Sequence, residues 1–403
     1  MKKTRTLPLA AAAALALLGG RAQAQSEQSQ PVAPAPPPAA AQPAPAAPAP
    51  APAPVTAPAA AKPASKGPQL YGFVQLQLSQ LKPPSPAHDS STFEVRRARL
   101  GARGDLTGQI GYAAIYDFAD SSLKDAVIAG KNLGWAPGVE LRFGQFKTPF
   151  GWEQPESDYK LLWVYSSYVV QALARSTTTS SVTATPDARD IGAQLLGKWG
   201  GPALTGELTA AVTNGAGPNR KDDLDRKNLW GRAGLAGKLG PVSLRGGVSY
   251  AHGRQLAGLG ANAKFDGVGT FTDDTFFDFD TVGGDVELDS KWLFVAAEYI
   301  QSDRDQSVYA AGVATETSYK ARGWYAGAYG KTPWRVGPVV RVEQYDRNRS
   351  TDDDTAERYT LGLYYDLDQV PVNTRLIFNY ELDQSDDGVK VGDRAVLLGQ
   401  VIF

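Results

Sequence analysis

The 403-residue sequence predicts an all-β protein: a transmembrane antiparallel β-barrel of about 16 strands, preceded by a disordered Pro/Ala-rich N-terminal extension. Segments of about ten residues alternate between apolar and polar side chains, and a tilted strand of that length crosses a bilayer. The connections between these segments alternate between a short and a mostly longer type. No run of about eighteen apolar residues follows the N-terminal segment, so a membrane-spanning helix is not expected.

Alternation is clearest near the C-terminus. Leu361, Leu363 and Tyr365 share one face of a predicted strand, and small or polar residues separate them. The next strand has an apolar face formed by Thr374, Leu376, Phe378 and Tyr380. One face of each segment is therefore apolar and the other carries charge, as in a barrel whose outer surface meets lipid.

The connections support the same architecture. The short set lies at residues 104–108, 132–138, 200–202, 240–241, 289–290, 331–337 and 368–371. The longer, polar set lies at residues 82–92, 150–189, 215–225, 254–277, 303–317, 348–356 and 384–391. Short periplasmic turns and long extracellular loops are typical of outer-membrane barrels, which have an even number of strands.

The N-terminus predicts export. A basic start, an apolar stretch from Leu7 to Leu18 and the Ala22-Gln23-Ala24 motif have the order of a cleaved signal peptide. Residues 25–68 are mostly Pro, Ala and Gln, which favours an extended, unpacked linker. We therefore predict a signal peptide at 1–24, a periplasmic linker at 25–68 and a barrel domain at 69–403. The chain has no cysteine, so disulfide and thiolate metal sites are excluded.

Aromatic residues near the strand ends predict an interfacial girdle. The expected members are Tyr71, Phe73, Tyr250, Trp292, Trp324, Tyr359 and Tyr365. The last segment also alternates and finishes on Phe403, which resembles the terminal recognition signal of outer-membrane barrel strands.

The sequence offers little for catalysis. Its two histidines, His88 and His252, lie in or beside predicted loops, and no nucleophile elbow or zinc-protease motif is found. The acidic clusters do not have the spacing of a calcium-binding EF-hand loop. We therefore expect no enzyme activity, no metal, no cofactor and no nucleic-acid partner.

Arginines on the polar face are the main chemical feature. Arg97, Arg99 and Arg103 share one face of the second strand, and a charge facing lipid at mid-membrane would cost about 2–4 kcal/mol. Later strands add arginines in the same phase, namely Arg232, Arg245, Arg341, Arg358 and Arg375. Arg96 is out of phase and is expected at the outer rim, beyond the hydrocarbon.

Two interpretations of these arginines stay open. Guanidinium groups along a lumen replace water around a passing anion, and their planar donors suit phosphate. Alternatively, carboxylates on the polar faces neutralise the arginines in lumen salt bridges. The candidate carboxylates are Asp117, Glu140, Glu298, Glu343 and Glu381.

The region from Phe93 to Glu153 resembles a known family, the phosphate-selective porins O and P. The resemblance rests on four motifs in order: FEVRRARLGARG at 93–104, YDFAD at 116–120, LKDAVI at 123–128 and LRFGQFKTPFGWE at 141–153. It implies a 16-stranded, trimeric outer-membrane channel whose third extracellular loop, residues 148–188, folds inward. The Leu161–Tyr165 run is then expected to pack on the wall. The cationic candidates of this constriction are Lys147, Lys160 and Arg175, beside Glu153, Glu156 and Asp158.

Three functions follow as hypotheses. The first is a passive channel in the outer membrane of a Gram-negative-type envelope for small anions, phosphate or polyphosphate. The second is a general or sugar-preferring porin, and the third is an anchor that joins the outer membrane to peptidoglycan through residues 25–68. Outer-membrane lipid and lipopolysaccharide are the expected surroundings in each case.

Overall fold

The computed structural model describes residues 67–403 except 84–88, 132–133, 135, 175–187, 202, 223–225, 257–274, 311–312, 368–372 and 388. The described residues form a closed antiparallel barrel of sixteen strands in which β1 pairs with β16. The predicted fold class and strand count are confirmed. The signal peptide at 1–24 and nearly all of the linker at 25–68 lie outside the described residues, so both stay predictions.

Each strand pairs with its neighbours in sequence. In chain order the strands are β1 Gln69–Lys82, β2 Ser90–Asp105, β3 Ile110–Asp117, β4 Ser122–Gly130, β5 Val139–Lys147, β6 Arg189–Gly200, β7 Leu204–Thr213, β8 Asn228–Leu239, β9 Val242–Leu256, β10 Thr275–Asp289, β11 Leu293–Ala310, β12 Val313–Gly330, β13 Val336–Asp346, β14 Thr355–Asp366, β15 Thr374–Asp383 and β16 Asp393–Ile402.

The connections form two sets, one at each end of the barrel. We name these ends the turn end and the loop end. The turn end holds the connections after β2, β4 and every later even-numbered strand, and the loop end holds those after the odd-numbered strands. Two loop-end connections differ from the prediction. A four-residue link, 118–121, joins β3 to β4 and was not predicted, and the expected loop at 303–317 is instead mostly paired strand of the β11–β12 hairpin.

Alternation sorts the side chains as predicted. On β14, Leu361 and Leu363 lie on the outer surface, whereas Arg358 and Thr360 are buried toward the lumen. On β15, Leu376 and Phe378 are outside, and Arg375 is buried. Period-two alternation therefore decides which side chains meet lipid and which line the lumen.

A bulge changes the expected position of Arg96. The register between β1 and β2 shifts at Gln75/Leu76, so that Gln75 lies opposite Arg97 and Leu76 opposite Val95. Arg96 is the extra residue, and it donates to Gln77 Oε1 at 3.0 Å and to the Val164 carbonyl at 3.2 Å. The prediction that Arg96 lies at the outer rim is wrong, because the bulge turns two consecutive arginines toward the lumen.

Two members of the predicted girdle also face inward. Phe73 is buried and its ring packs edge-on against Tyr159 at 5.4 Å, and Tyr71 lines a cavity inside the barrel. Tyr250, Trp292 and Tyr365 are exposed on the outer surface, as predicted. The lumen-facing side of β1 therefore carries aromatic side chains. Residue type alone does not distinguish them from aromatic residues that face lipid.

The connection between β5 and β6, which we call L3, enters the barrel. Its described residues include a 3₁₀ turn at Asp158–Lys160 and a helix, α1, at Tyr168–Leu173. Leu162, Trp163 and Val170 of L3 are each at most 1% exposed and belong to the main apolar cluster of the barrel. None of the helices in the described part of the chain is long and apolar enough to span a membrane.

Candidate functional site

L3 is anchored to one side of the lumen by a buried carboxylate, Glu298 on β11. Glu298 Oε1 accepts hydrogen bonds from the backbone N–H of Trp152 at 2.9 Å and from the hydroxyl of Tyr325 at 3.0 Å, and also from the N–H of Glu153. Glu153 in turn accepts from the indole N–H of Trp163 at 3.0 Å. The start of L3 is thus held by acceptors that satisfy its own backbone.

The apolar run of L3 lies on the wall beyond this anchor. The backbone N–H of Val164 donates to Asn379 Oδ1 at 2.7 Å, and that of Tyr168 donates to Glu343 Oε2 at 2.6 Å. Arg341 donates to the Tyr165 carbonyl at 2.7 Å and pairs with Glu343 at 2.9 Å. We call the inward face of β10–β16 the covered wall, because L3 lies against it.

Close approach of L3 requires a missing side chain on β12. A Cβ at Gly327 would lie 2.7 Å from the ring of Trp163. Glycine at this position lets the indole rest directly on the strand, next to Tyr325.

Glu381 forms the centre of a second group on the covered wall. It pairs with Arg358 at 3.1 Å and with Arg394 at 3.0 Å, and it is 1% exposed. The guanidinium of Arg358 lies 3.8 Å from the ring centre of Tyr168, and that of Arg394 lies 3.7 Å from Tyr165. The ion pairs therefore lie within the wall, and the two cation–π contacts join them to L3.

On its way across the lumen, L3 places Asp158 beside the second strand. Asp158 pairs with Arg99 at 2.6 Å and with Arg97 at 3.3 Å, and Arg99 also pairs with Asp117 at 2.7 Å. Burial opposes ionisation of Asp158, but Arg97 and Arg99 outweigh it and hold the pKa of this carboxyl well below its usual value of 3.8. Two of the predicted lumen arginines are thus neutralised where L3 narrows the lumen.

The opposite side of the lumen stays open. A cavity of about 750 Å³ lies between L3 and the inward face of β2–β9, which we call the open wall. Eight cationic side chains line it, namely Arg103, Lys131, Arg142, Lys147, Arg189, Lys198, Arg232 and Arg245. Four carboxylates line it as well: Asp105, Asp125, Glu140 and Glu207. The described lining therefore has an excess of positive charge.

Some cations of this cavity are held more loosely than those behind L3, although Arg189 pairs with Asp125 at 2.9 Å and its side chain is 7% exposed. Arg245 pairs with Glu207 at 3.1 Å and lies 3.9 Å from both Glu156 and Glu287, and its side chain is 33% exposed. Arg142 pairs with Glu140 at 2.6 Å and is 36% exposed. No carboxylate of the described residues pairs with Arg103, which lies 5.1 Å from the ring centre of Tyr71. Arg103 can therefore contact a passing anion directly, and Arg142 can exchange Glu140 for one.

The predicted site residues divide between those that line the open cavity and those that L3 or a carboxylate covers. Arg103, Arg232, Arg245 and Lys147 line the open cavity, although Arg232 is tied to Asp285 by contacts of 2.5 and 3.1 Å. The others do not line it. Arg97, Arg99 and Arg341 are buried against L3, and Arg375 pairs with Asp366 at 2.5 Å.

Lys160 and Arg175 complete the predicted set. Lys160 pairs with Glu156 at 2.9 Å and is 54% exposed, and it borders a smaller recess under L3. Arg175 lies outside the described residues, so its predicted place in the constriction stays a prediction. Lys147 donates to the Glu156 carbonyl, which ties the end of β5 to L3.

Four cavity cations were not among the predicted site residues: Lys131, Arg142, Arg189 and Lys198. Arg142 lies within the LRFGQFKTPFGWE motif, two residues from Glu140 on the same polar phase, so alternation could have identified it. Lys131 and Arg189 lie at strand ends, where a phase cannot be assigned from sequence.

The recess under L3 has a volume of about 300 Å³ and is partly aromatic. Trp152, Phe294 and Tyr329 form its wall, with Phe294 and Tyr329 stacked at 4.6 Å. Arg245 and Glu287 lie at its border with the open cavity. Within the described ranges, no three His, Asp or Glu side chains come together in a group that could hold a metal ion.

Solved structures of outer-membrane proteins share this barrel fold. OmpT of Vibrio cholerae, in a trimer form, has a similar structure with a TM-score of 0.51 and 12% identity over 84% of this chain and 99% of that one. OmpF of Salmonella typhi, in a complex with daunomycin, gives a TM-score of 0.52 and 12% identity over 83% and 97% of the chains. OprB of Pseudomonas putida gives 0.53 and 13% over 84% and 94%. At this identity the similarity establishes the fold. No curated protein sequence matches the chain.

A family profile described as "Phosphate-selective porin O and P" matches residues 69–388, which covers nearly all of the barrel. This range contains the motifs of β2 to β5, the whole of L3, the open wall and all of the covered wall except β16. The chain therefore belongs to the phosphate-selective porin O and P family and is a porin of the outer membrane.

Proposed function

We propose that this porin is a passive diffusion channel for small anions, with inorganic phosphate or polyphosphate as the preferred class. The observation that carries the proposal is the open cavity, where eight cationic side chains face four carboxylates. A narrow lumen with low-dielectric walls concentrates counter-ions, so a positive excess favours anions there.

The arrangement of the pairs supports passage rather than tight binding. Arg103 has no carboxylate partner among the described residues, and Arg142 and Arg245 are about one-third exposed. An anion can therefore replace a carboxylate at one guanidinium and move to the next without leaving a buried charge unpaired. Conduction requires contacts that are favourable enough for entry and weak enough for release.

Planar-bilayer recordings of the purified protein test the proposal. Under a potassium chloride gradient the reversal potential is expected to favour chloride over potassium, and added phosphate is expected to reduce chloride current by competing for the same cations. A reversal potential that favours potassium, together with no effect of phosphate, would contradict it.

We further propose that the protein is exported by cleavage after residue 24, extends residues 25–68 into the periplasm, and functions as a homotrimer with its loop end outward. The trimer form of the similar Vibrio cholerae protein supports the assembly. N-terminal sequencing of the mature protein tests the cleavage site. Deletion of residues 26–68 should leave conductance unchanged, whereas a peptidoglycan anchor would lose its association with the cell-wall fraction.

The aromatic recess favours a second candidate, a general or sugar-preferring porin. Trp152, Phe294 and Tyr329 offer ring faces next to polar groups, which suits the apolar faces of sugars. Liposome swelling separates the two functions. Swelling rates that follow solute size and ignore solute charge would support the sugar-preferring porin.

A further inference from the structure

The outer surface of β11–β13 changes abruptly from apolar to polar. On β11 the outward residues Val295, Ala297 and Tyr299 are followed by Gln301, Asp303 and Asp305. On β12 the residues Ala328, Ala326 and Trp324 are followed by Arg322 and Lys320, and on β13 Val340 and Val342 are followed by Gln344 and Asp346. Because lipid chains exclude charge, this line marks the loop-end boundary of the hydrocarbon layer.

These strands rise well above that boundary. β11 and β12 have 18 residues each, whereas β3, β4 and β5 have 8 or 9. A tilted strand needs about 9–11 residues to cross the membrane. The upper part of β11 and β12 therefore stands at the level of the lipid headgroups.

A recess of about 340 Å³ opens on the outer surface at this level. Tyr299 and Trp324 supply ring surfaces, and Gln344, Asp346 and Thr355 supply polar groups. Arg322 completes its border. Aromatic rings beside amide, carboxylate and hydroxyl groups are well suited to a sugar, since rings pack on its C–H face and polar groups bond its hydroxyls.

The guanidinium of Arg322 has N–H donors that are available to a ligand. Its Nε lies 3.4 Å from Asp346 Oδ2, and the described residues give its two terminal nitrogens no hydrogen-bond partner. The side chain is 47% exposed and points outward, next to Lys320, which pairs with Asp303 at 2.7 Å. A planar pair of free N–H donors is the geometry that binds phosphate in two contacts.

We propose that this recess binds the headgroup of a phosphorylated glycolipid of the outer leaflet, of the lipid A type. Arg322 contacts a phosphate, the sugar lies on Tyr299 and Trp324 with its hydroxyls on Gln344 and Asp346, and the acyl chains continue down the apolar surface of β12 and β13. The site depends on the outer-membrane location of the porin and is independent of the ion selectivity of the lumen.

Native mass spectrometry of the purified full-length protein with bisphosphorylated lipid A tests the site. Arg322→Gln is expected to weaken binding about tenfold, since charge-assisted contacts to one phosphate are lost. The matched control is Arg335→Gln, which removes an arginine near another outward ring, Tyr365, at the turn end. That variant should bind as the wild type does, and both should keep wild-type single-channel conductance.

Two other lipids test which groups of the ligand the recess recognises. Dephosphorylated lipid A and phosphatidylglycerol should each bind at least several-fold more weakly than bisphosphorylated lipid A, because one lacks the phosphates and the other the sugar. Equal binding of either lipid would overturn the proposal, as would unchanged binding by Arg322→Gln. A change of oligomer mass in Arg322→Gln without a change in lipid binding would also overturn it, because the recess would then be a contact between copies.

Discussion

The covered wall and the open wall of this barrel carry the same residue types in different states. On the covered wall, Arg341 and Glu343 form a pair whose side chains are 0% and 1% exposed. On the open wall, Arg245 and Glu207 form a pair whose side chains are 33% and 16% exposed. L3 makes the difference, since it removes water from one wall and leaves it on the other.

A lumen arginine therefore has two distinct uses. Behind L3 it is a structural group, because a buried ion pair cannot lose one partner without leaving an uncompensated charge. On the open wall, Arg142 and Arg245 keep water around their guanidinium groups, so an ion can replace their partners at small cost. The number of arginines on the lumen side therefore cannot identify the permeation path unless the position of L3 is known.

The largest expected difference between the walls concerns stability. Glu381→Gln leaves the buried cations Arg341, Arg358 and Arg394 without their shared carboxylate, and should lower the free energy of unfolding by about 3–5 kcal/mol. Glu207→Gln on the open wall should lower it by less than about 1 kcal/mol, since its partners Lys198 and Arg245 stay hydrated. Urea unfolding in lipid vesicles measures both, and equal losses would remove the distinction between the walls.

A smaller loss of stability is expected where L3 touches β12. Gly327→Ala introduces a Cβ 2.7 Å from the ring of Trp163, and overpacking of this kind costs about 1–3 kcal/mol. At Gly231 on β8 an added Cβ meets nothing within 4 Å, so Gly231→Ala should change stability by no more than about 0.5 kcal/mol. The same unfolding assay compares the two. A neutral Gly327→Ala would mean that L3 does not pack tightly on the strand.

Ion selectivity should respond to the open wall. Removing two cavity cations with Arg103→Gln and Arg142→Gln is expected to lower the chloride-to-potassium permeability ratio about threefold, because the local anion concentration falls. Arg304→Gln is the control on the covered wall, where Arg304 donates to the Ala172 carbonyl of L3 and is 3% exposed. Its reversal potential should stay at the wild-type value. A larger effect of Arg304→Gln would place the permeation path behind L3.

The smallest effect concerns pH and Asp158. Its pKa is held below the usual 3.8 by Arg97 and Arg99, so the stability it contributes is fully present above 3.8 and is lost only as the pH falls through the lower folded value. Asp158 therefore stays ionised when the pH is lowered from about 7 to about 5, and the ion selectivity of the wild type should not change through this group. Asp158→Asn, in contrast, should raise anion preference about twofold at both pH values, because Arg97 loses its carboxylate and Arg99 keeps only Asp117. An anion preference of the wild type that rises toward that of Asp158→Asn at about pH 5 would contradict the assignment.

Much of the barrel could be predicted because its signals are local. Alternation assigned Arg97, Arg99 and Arg341 to the lumen side, and turn residues marked most of the connections. The β3–β4 link escaped prediction because residues 118–121, Phe-Ala-Asp-Ser, include no Gly or Pro, unlike the even shorter Gly240-Pro241 turn. The β11–β12 hairpin was taken for a loop because its upper residues are polar on the outer surface, above the hydrocarbon, where alternation of polarity is lost.

The lumen was less predictable for a different reason. Arg96 was misplaced because a bulge depends on how β1 pairs with β2, and no single strand encodes that register. Tyr71 and Phe73 face the lumen although their chemistry suits a lipid interface. The partners of L3 are distant in sequence: Glu298 is 146 residues from Trp152, and Asn379 is 215 residues from Val164.

Sequence alone specifies the class of fold, the strand count and the lipid-facing side of most strands, because a strand repeats every two residues and lipid rejects charge. Tertiary structure decided which arginines remain in water. That outcome depends on the path of L3 across the lumen, which is held by Glu298, Asn379 and Glu343 on strands far away in the chain. Whether a guanidinium is exposed depends on the closed barrel with L3 in place. The sequence around an arginine does not indicate which distant segment will cover its side chain.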